Sequence, residues 1–125
     1  MELSKREFVE QLKNRTKKFA VDIIRFCDTL VPGKATSVVT YQIVKSATST
    51  AANYRAACRA RSDNEFYSKI CIVVEEADET EFWLELIKEV PLSNNTQEHE
   101  RLLNEIDELI KIMSKAKNTS RNKLK

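Results

Sequence analysis

Four carboxylates fall within five residues, at Glu75, Glu76, Asp78 and Glu79, and the chain has one histidine, His99. Carboxylates with histidine form the donor set of a di-metal centre in a helical bundle. That centre takes inward-facing Glu from two helices and a Glu-x-x-His turn from each of two others. Thr96 occupies the position three before His99, so the turn is missing and His99 reads as a solvated residue in the first turn of a helix. A Ser or Cys nucleophile needs a positioned base, and one histidine at a helix start supports no triad. A phosphate-cradling loop needs several glycines, and Gly33 is the only one. Cys27, Cys58 and Cys71 are odd in number and each lies in an apolar helical pattern. They read as reduced core thiols of a cytoplasmic protein rather than as a disulfide framework. The expectation is a chain with no catalytic activity, no metal, no cofactor and no small-molecule substrate. Its acids would flank a core seam and pair with Lys45, Arg55, Arg59 or Arg61.

The chemistry that remains is recognition. Lys5, Arg6, Lys13, Lys17, Lys18 and Arg25 dot the first 25 residues, several of them opposite Leu12, Phe19 and Ile23. Such a run is either a solvated face or a surface that tracks phosphates. The candidate contacts to nucleic acid or to an acidic partner are Lys13, Lys17, Lys18, Lys45, Arg55, Arg59 and Arg61. No aromatic residues alternate with these cations to stack bases, and no recognition-helix signature is present. Any nucleic-acid contact would therefore be a weakly selective, salt-sensitive grip on the backbone.

Charge is segregated along the chain. Residues 1–62 carry a net +7, residues 63–110 a net −11 and residues 111–125 a net +6, within an overall +2. Two middle elements of opposite sign would attract each other and leave basic surface at both ends.

These side chains are to be positioned by helices. At 125 residues the chain is one domain by length and can bury a core unaided. One Gly and two Pro leave room for only a few sharp turns, which favours long helices over a β-rich fold. Steps of three and four in the apolar residues mark four of them. The first runs over 4–30 through Phe8, Leu12, Thr16, Phe19, Ile23, Phe26 and Leu30. It opens on a Ser4–Glu7 capping box with a Leu3–Phe8 staple and stops at Val31-Pro32-Gly33. The second starts at Thr36 or Ser37 as cap and reaches residue 59 or 60. The third opens on the capping box Ser62–Glu65, runs through Phe66, Ile70, Val73, Ala77, Thr80, Leu84 and Ile87, and ends at Val90-Pro91. The fourth is capped by Asn95 and buries Leu102, Ile106, Leu109, Met113 and Ala116. Short loops between long amphipathic helices predict an all-α, antiparallel up-down-up-down four-helix bundle over 1–118. A basic, disordered tail follows over 119–125, its polar character beginning at Lys117. The N-terminus MELSKREFVEQLKNR is charged from its second residue and has no signal-peptide core, and no apolar run is long enough to span a membrane.

The second helix is unusual at Ser46 to Asn53, SATSTAAN, where no side chain exceeds Asn in size. On a helical wheel Val39, Ile43, Ala47, Thr50, Tyr54 and Cys58 form the core stripe, while Gln42, Ser49, Asn53, Ala56 and Ala60 form a second stripe about 100° away. Small residues here either let the helix pack closely on its own bundle or form a second contact surface for another subunit. Trp83, beside Phe82 and off the main seam, belongs either under a neighbouring helix or at a subunit contact.

The string Gln42-x-x-Lys45-Ser46-x-x-Ser49-x-x-x-Asn53, followed by Arg59-x-Arg61-Ser62-x-x-Glu65-Phe66, resembles the bacterial four-helix bundle protein family. That family includes proteins encoded by intervening sequences within 23S ribosomal RNA genes and the accessory variability protein of diversity-generating retroelements. The segment EEADETEFWLEL, Glu75 to Leu86, resembles a common form of the family's third helix. The likeness departs at Tyr54-Arg55-Ala56-Ala57, where many members carry Ile-Ala-Glu-Gly. The resemblance implies a homo-oligomer, commonly a pentameric ring of bundles, with basic surface able to engage RNA or DNA and no catalytic role. It marks Gln42, Ser46, Ser49, Asn53, Ser62, Glu65 and Phe66 as subunit or helix contacts. The expected function is a nucleic-acid-associated accessory or scaffold protein. The alternative is a protein-binding adaptor, for example for a reverse transcriptase, with no direct nucleic-acid contact.

Overall fold

The computed structural model describes residues 3–125; Met1 and Glu2, the start of the charged N-terminal stretch, lie outside the described residues. Four helices follow one another: α1 (Lys5–Cys27), α2 (Lys34–Ala57), α3 (Asp63–Glu89) and α4 (Thr96–Lys123). Each packs on its two neighbours, α2 and α3 most extensively and α1 and α4 least. This is the antiparallel four-helix bundle that the apolar spacing predicts. The connections after α1 and after α3 meet at one end, where Val31 N–H donates to Leu92 O at 2.8 Å. No helix among the described residues is long and apolar enough to cross a membrane.

Three of the four helix starts follow from their caps. Ser4 Oγ accepts from Glu7 N–H at 3.1 Å and also bonds the Glu7 carboxylate at 3.1 Å. Ser62 Oγ accepts from Glu65 N–H at 3.0 Å, and Asn95 Oδ1 accepts from Glu98 N–H at 3.2 Å. Each satisfies one of the amides that a helix start leaves without a partner. The second helix differs from expectation. Its N-cap is Gly33, with no side-chain cap. Thr36 and Ser37 lie inside the first turn and point their hydroxyls backwards, Thr36 to Val31 O at 2.6 Å and Ser37 to Gly33 O at 3.2 Å. The loop carbonyls sit within reach, so the hydroxyls donate to them instead of accepting from the helix.

The ends also differ. Residue 27 closes α1, and the next three residues tighten into i→i+3 bonds from Asp28, Thr29 and Leu30. At the C-terminus α4 continues to Lys123 with Ser120 buried, where sequence polarity predicts fraying from Lys117. Arg121 Nη2 donates to Asn118 Oδ1 at 3.1 Å, and basic residues in a last helical turn suit the negative end of the dipole.

The core is the predicted seam. Ile23, Ile43, Ile70, Val73, Leu84, Ile87, Leu102, Ile106, Leu109 and Met113 are fully buried. Cys58, Phe66 and Ala116 are half-buried at its margin. Phe8 is a correction: it is 44% exposed, as Leu3 is at 48%. α1 and α4 stand apart at this end, with Lys115, Ala116 and Thr119 of α4 across an open groove from Lys5 and Phe8, so the apolar periodicity of α1 continues where its neighbour does not cover it.

Candidate interaction surfaces

The small stretch of α2 is split by the fold. Ser46, Ala47 and Thr50 are buried, Thr48, Ser49, Ala51 and Asn53 are half-buried, and Ala52 is exposed. Thr80 Oγ1 of α3 lies 2.8 Å from Ser46 Oγ, and Ala77 of α3 is fully buried. Small side chains on both helices let their backbones approach closely, which accounts for the buried part of the stretch. On the second stripe Asn53 Nδ2 donates to Ser49 O and to Ser49 Oγ, both at 2.9 Å. Gln42 is half-buried. Of the remaining motif residues, Ser62 is the α3 cap, and Glu65 forms an ion pair with Arg61 at 3.5 Å. Phe66 packs on the core edge.

The cations divide into paired and unpaired. Lys13 is held by Glu10 at 2.8 Å, Lys18 by Asp22 at 2.7 Å and Arg61 by Glu65. Lys17, Lys45, Arg55 and Arg59 are exposed and have no carboxylate within 4.0 Å among the described residues.

The expected ion pairs between α2 and the acids of α3 are absent among the described residues. The cross-helix pairs tie α4 to α1 and α3 instead. Arg15 grips Glu105 through Nε and Nη2, both at 2.8 Å, and reaches Glu108 at 2.9 Å. Arg101 bridges Glu98 and Asp22, and Lys88 meets Glu100 at 2.9 Å. Segment charge predicts attraction between α2 and α3, but the facing positions of those helices are apolar or small. Their charges point outwards and meet only at longer range, where Lys45 partly offsets the rise in the Glu76 carboxyl.

The outer face of α3 is therefore an uncompensated acidic strip. Glu75, Asp78, Glu79, Glu85 and Glu89 are exposed around Phe82, itself 53% exposed. None has an ion-pair partner among the described residues. Burial and then the like charge of Glu79 push the Glu76 carboxyl above its ordinary value. Burial and the neighbouring Glu85, Asp107 and Asp78 do the same to Glu81. Trp83 is half-buried on the core edge, its indole N–H 3.4 Å from Glu79 Oε2, and its ring stands edge-on to Phe82 at 5.0 Å.

At the end of the bundle where Phe8 projects, a groove of about 1060 Å³ opens. Its floor includes Phe8, Leu12, Tyr54, Phe66 and Ile112, and Lys5, Arg61, Lys115 and Lys123 line it together with one acid, Asp63. Cys58 in the same groove has its thiol pushed up by burial, as does the Tyr54 phenol. Neither group is poised to ionise near neutral pH.

His99 corrects the sequence reading. It is buried, its Nε2 lies 2.8 Å from Leu84 O, and its ring leans on Phe26 with centroids 5.3 Å apart. A carbonyl only accepts, so Nε2 carries the proton in this bond. The signal was present in the spacing: His99 precedes Leu102 by three residues, one step of the α4 seam. Cys27 is buried as expected, and burial pushes its thiol up to about 11. Among the described residues no three His, Cys, Asp or Glu side chains gather as a metal-binding group.

Residues 10–115 match the family model of the 23S rRNA-intervening sequence protein. Among solved structures, the chain is similar to a protein of unknown function from the S23 ribosomal protein family of Bacteroides thetaiotaomicron. The two are 33% identical and superpose with a TM-score of 0.75, over 85% of this chain and 97% of that one. No curated protein matches the chain.

Proposed function

This chain belongs to the 23S rRNA-intervening sequence protein family, and from that premise we propose that it is a non-enzymatic, homo-oligomeric scaffold that holds nucleic acid by its backbone in the cytoplasm. The observation that carries the nucleic-acid part is the set of exposed cations Lys17, Lys45, Arg55 and Arg59, which have no carboxylate partner among the described residues. A cation already neutralised by its own fold releases few counterions on meeting a phosphate, whereas a free one releases its share. Assembly is supported by the surfaces left open: the small and amide stripe around Ser49 and Asn53, the acidic strip and the apolar groove. A ring of copies, five in the form the family resemblance implies, would repeat the cation set around an axis and multiply a weak grip.

A protein adaptor, for instance one that holds a reverse transcriptase, is the competing reading, and the acidic strip around Phe82 favours it. Light scattering and filter binding separate the claims. The scaffold reading expects an oligomer at micromolar concentration and retention of structured RNA at low salt. A clean monomer removes the assembly, and no retention at low salt removes the nucleic acid.

A further inference from the structure

We propose that the basic-lined groove at the end of the bundle is the seat for the acidic outer face of α3 of a second copy, with Phe82 as the anchor. The proposal rests on the assembly reading above and names its two surfaces. The groove has an apolar floor, with Phe8 44% exposed, and the cations Lys5, Lys115 and Lys123 at its edge, none paired with a carboxylate among the described residues. A contiguous apolar floor rimmed by charged side chains is the kind of surface that a partner covers. The α3 face presents the complement: an exposed phenyl ring set among Asp78, Glu79 and Glu85.

Charge decides the geometry. Two acidic strips brought face to face would juxtapose unpaired carboxylates, and two basic-lined grooves would juxtapose ammonium groups. Like charge therefore disfavours strip on strip and groove on groove. Each can pair with the other, so one copy's strip meets another copy's groove. Made reciprocally between two copies the contact closes a two-fold dimer, and made onward from copy to copy it closes into a ring or grows as an open chain.

Two variants and their mixture test this. Phe82→Asp removes the anchor, and Lys115→Glu with Lys123→Glu inverts the groove's charge. All three positions are exposed, so helicity by circular dichroism should stay unchanged. Each variant alone is expected to fall to monomer mass at a concentration where the wild type is assembled. Mixed in equal amounts they should form a 1:1 dimer, because one intact groove and one intact strip remain. A mixture that stays monomeric overturns the strip-to-groove contact. Wild-type-sized assemblies from both variants overturn these surfaces while leaving oligomerisation intact, and a monomeric wild type overturns both. Native mass spectrometry showing the groove filled by a co-purified acyl chain or foreign peptide also overturns the choice of occupant.

Discussion

Thr80 Oγ1 and Ser46 Oγ stand 2.8 Å apart across the α2–α3 seam, and both side chains are fully buried. Each hydroxyl also has a local carbonyl in reach, Ser46 that of Ile43 at 3.2 Å and Thr80 that of Glu76 at 2.8 Å. With one proton apiece, either hydroxyl can donate across the seam while the other donates along its own helix. Ser46→Ala leaves Thr80 its Glu76 carbonyl, so the cost is expected near 1 kcal/mol. Ser46→Leu forces bulk into the closest helix pair and is expected to cost about 3 kcal/mol. Urea melts of both variants check the order. Equal losses would mean that α2 and α3 are not tightly apposed at this point.

His99 joins three helices: its own, α3 through Leu84 O, and α1 through Phe26. His99→Ala removes the bond and leaves a void against Phe26, and a destabilisation of about 3 kcal/mol is expected. His99→Gln can restore the donor but not the ring packing and should recover part of it. Thermal unfolding followed by circular dichroism reads both. A neutral His99→Ala would show that the ring is not part of the core.

Asp22 is expected to make stability depend on pH at the acid end. Burial raises its carboxyl, but the bonds from Lys18 and Arg101 outweigh burial and hold it below its ordinary value. A carboxyl lowered on folding stabilises above its unfolded value of about 3.9, and that contribution is lost as pH falls through the folded one. Asp22→Asn should therefore cost about 1 kcal/mol at pH 7, discounted for the exposure of its two partners, and progressively less as the pH falls below the ordinary carboxylate range. Glu81 has the opposite sign, because its folded value is raised. Its favourable share is present below the unfolded value and lost as pH rises through the folded one. Glu81→Gln should stabilise by about 0.5 kcal/mol at pH 7 and have no effect near pH 3.

Replacing Lys45, Arg55 and Arg59 together by Gln should weaken RNA retention at every sequence tried. It should also flatten the dependence of log K on log salt by about 0.7–0.9 for each phosphate that is no longer neutralised. Replacing the paired Lys13 and Lys18 should change that slope much less. The reverse ranking, measured by filter binding between 50 and 200 mM salt (about a fourfold span), would place the nucleic-acid surface elsewhere.

The core was legible because burial on one side of a helix leaves a periodic mark, and Ile23, Ile43, Ile70 and Ile106 all sit where that mark falls. Ser4, Ser62 and Asn95 were legible because a capping hydroxyl or amide has one good use before an apolar run. Thr36 could cap or bond backwards, and only the position of the Val31 carbonyl decides. Phe8 obeys the period, yet period cannot say where two neighbouring helices stand apart. Ion pairs were least legible: segment charge puts α2 and α3 together, but side-chain direction ties α1 to α4 instead, through Arg15 to Glu105 and Arg101 to Asp22. The groove was invisible for the same reason as Phe8, since it exists only where α1 and α4 fail to meet.

The sparse packing between α1 and α4 makes that flank the easiest place for the molecule to breathe. Amide protons in the opening turns of α1 should exchange with solvent well before those of α2 and α3, which hold each other most extensively. Whatever settles beside Phe8 would then act as a latch. It would slow the exchange of a helix whose own neighbour leaves it loosely fastened.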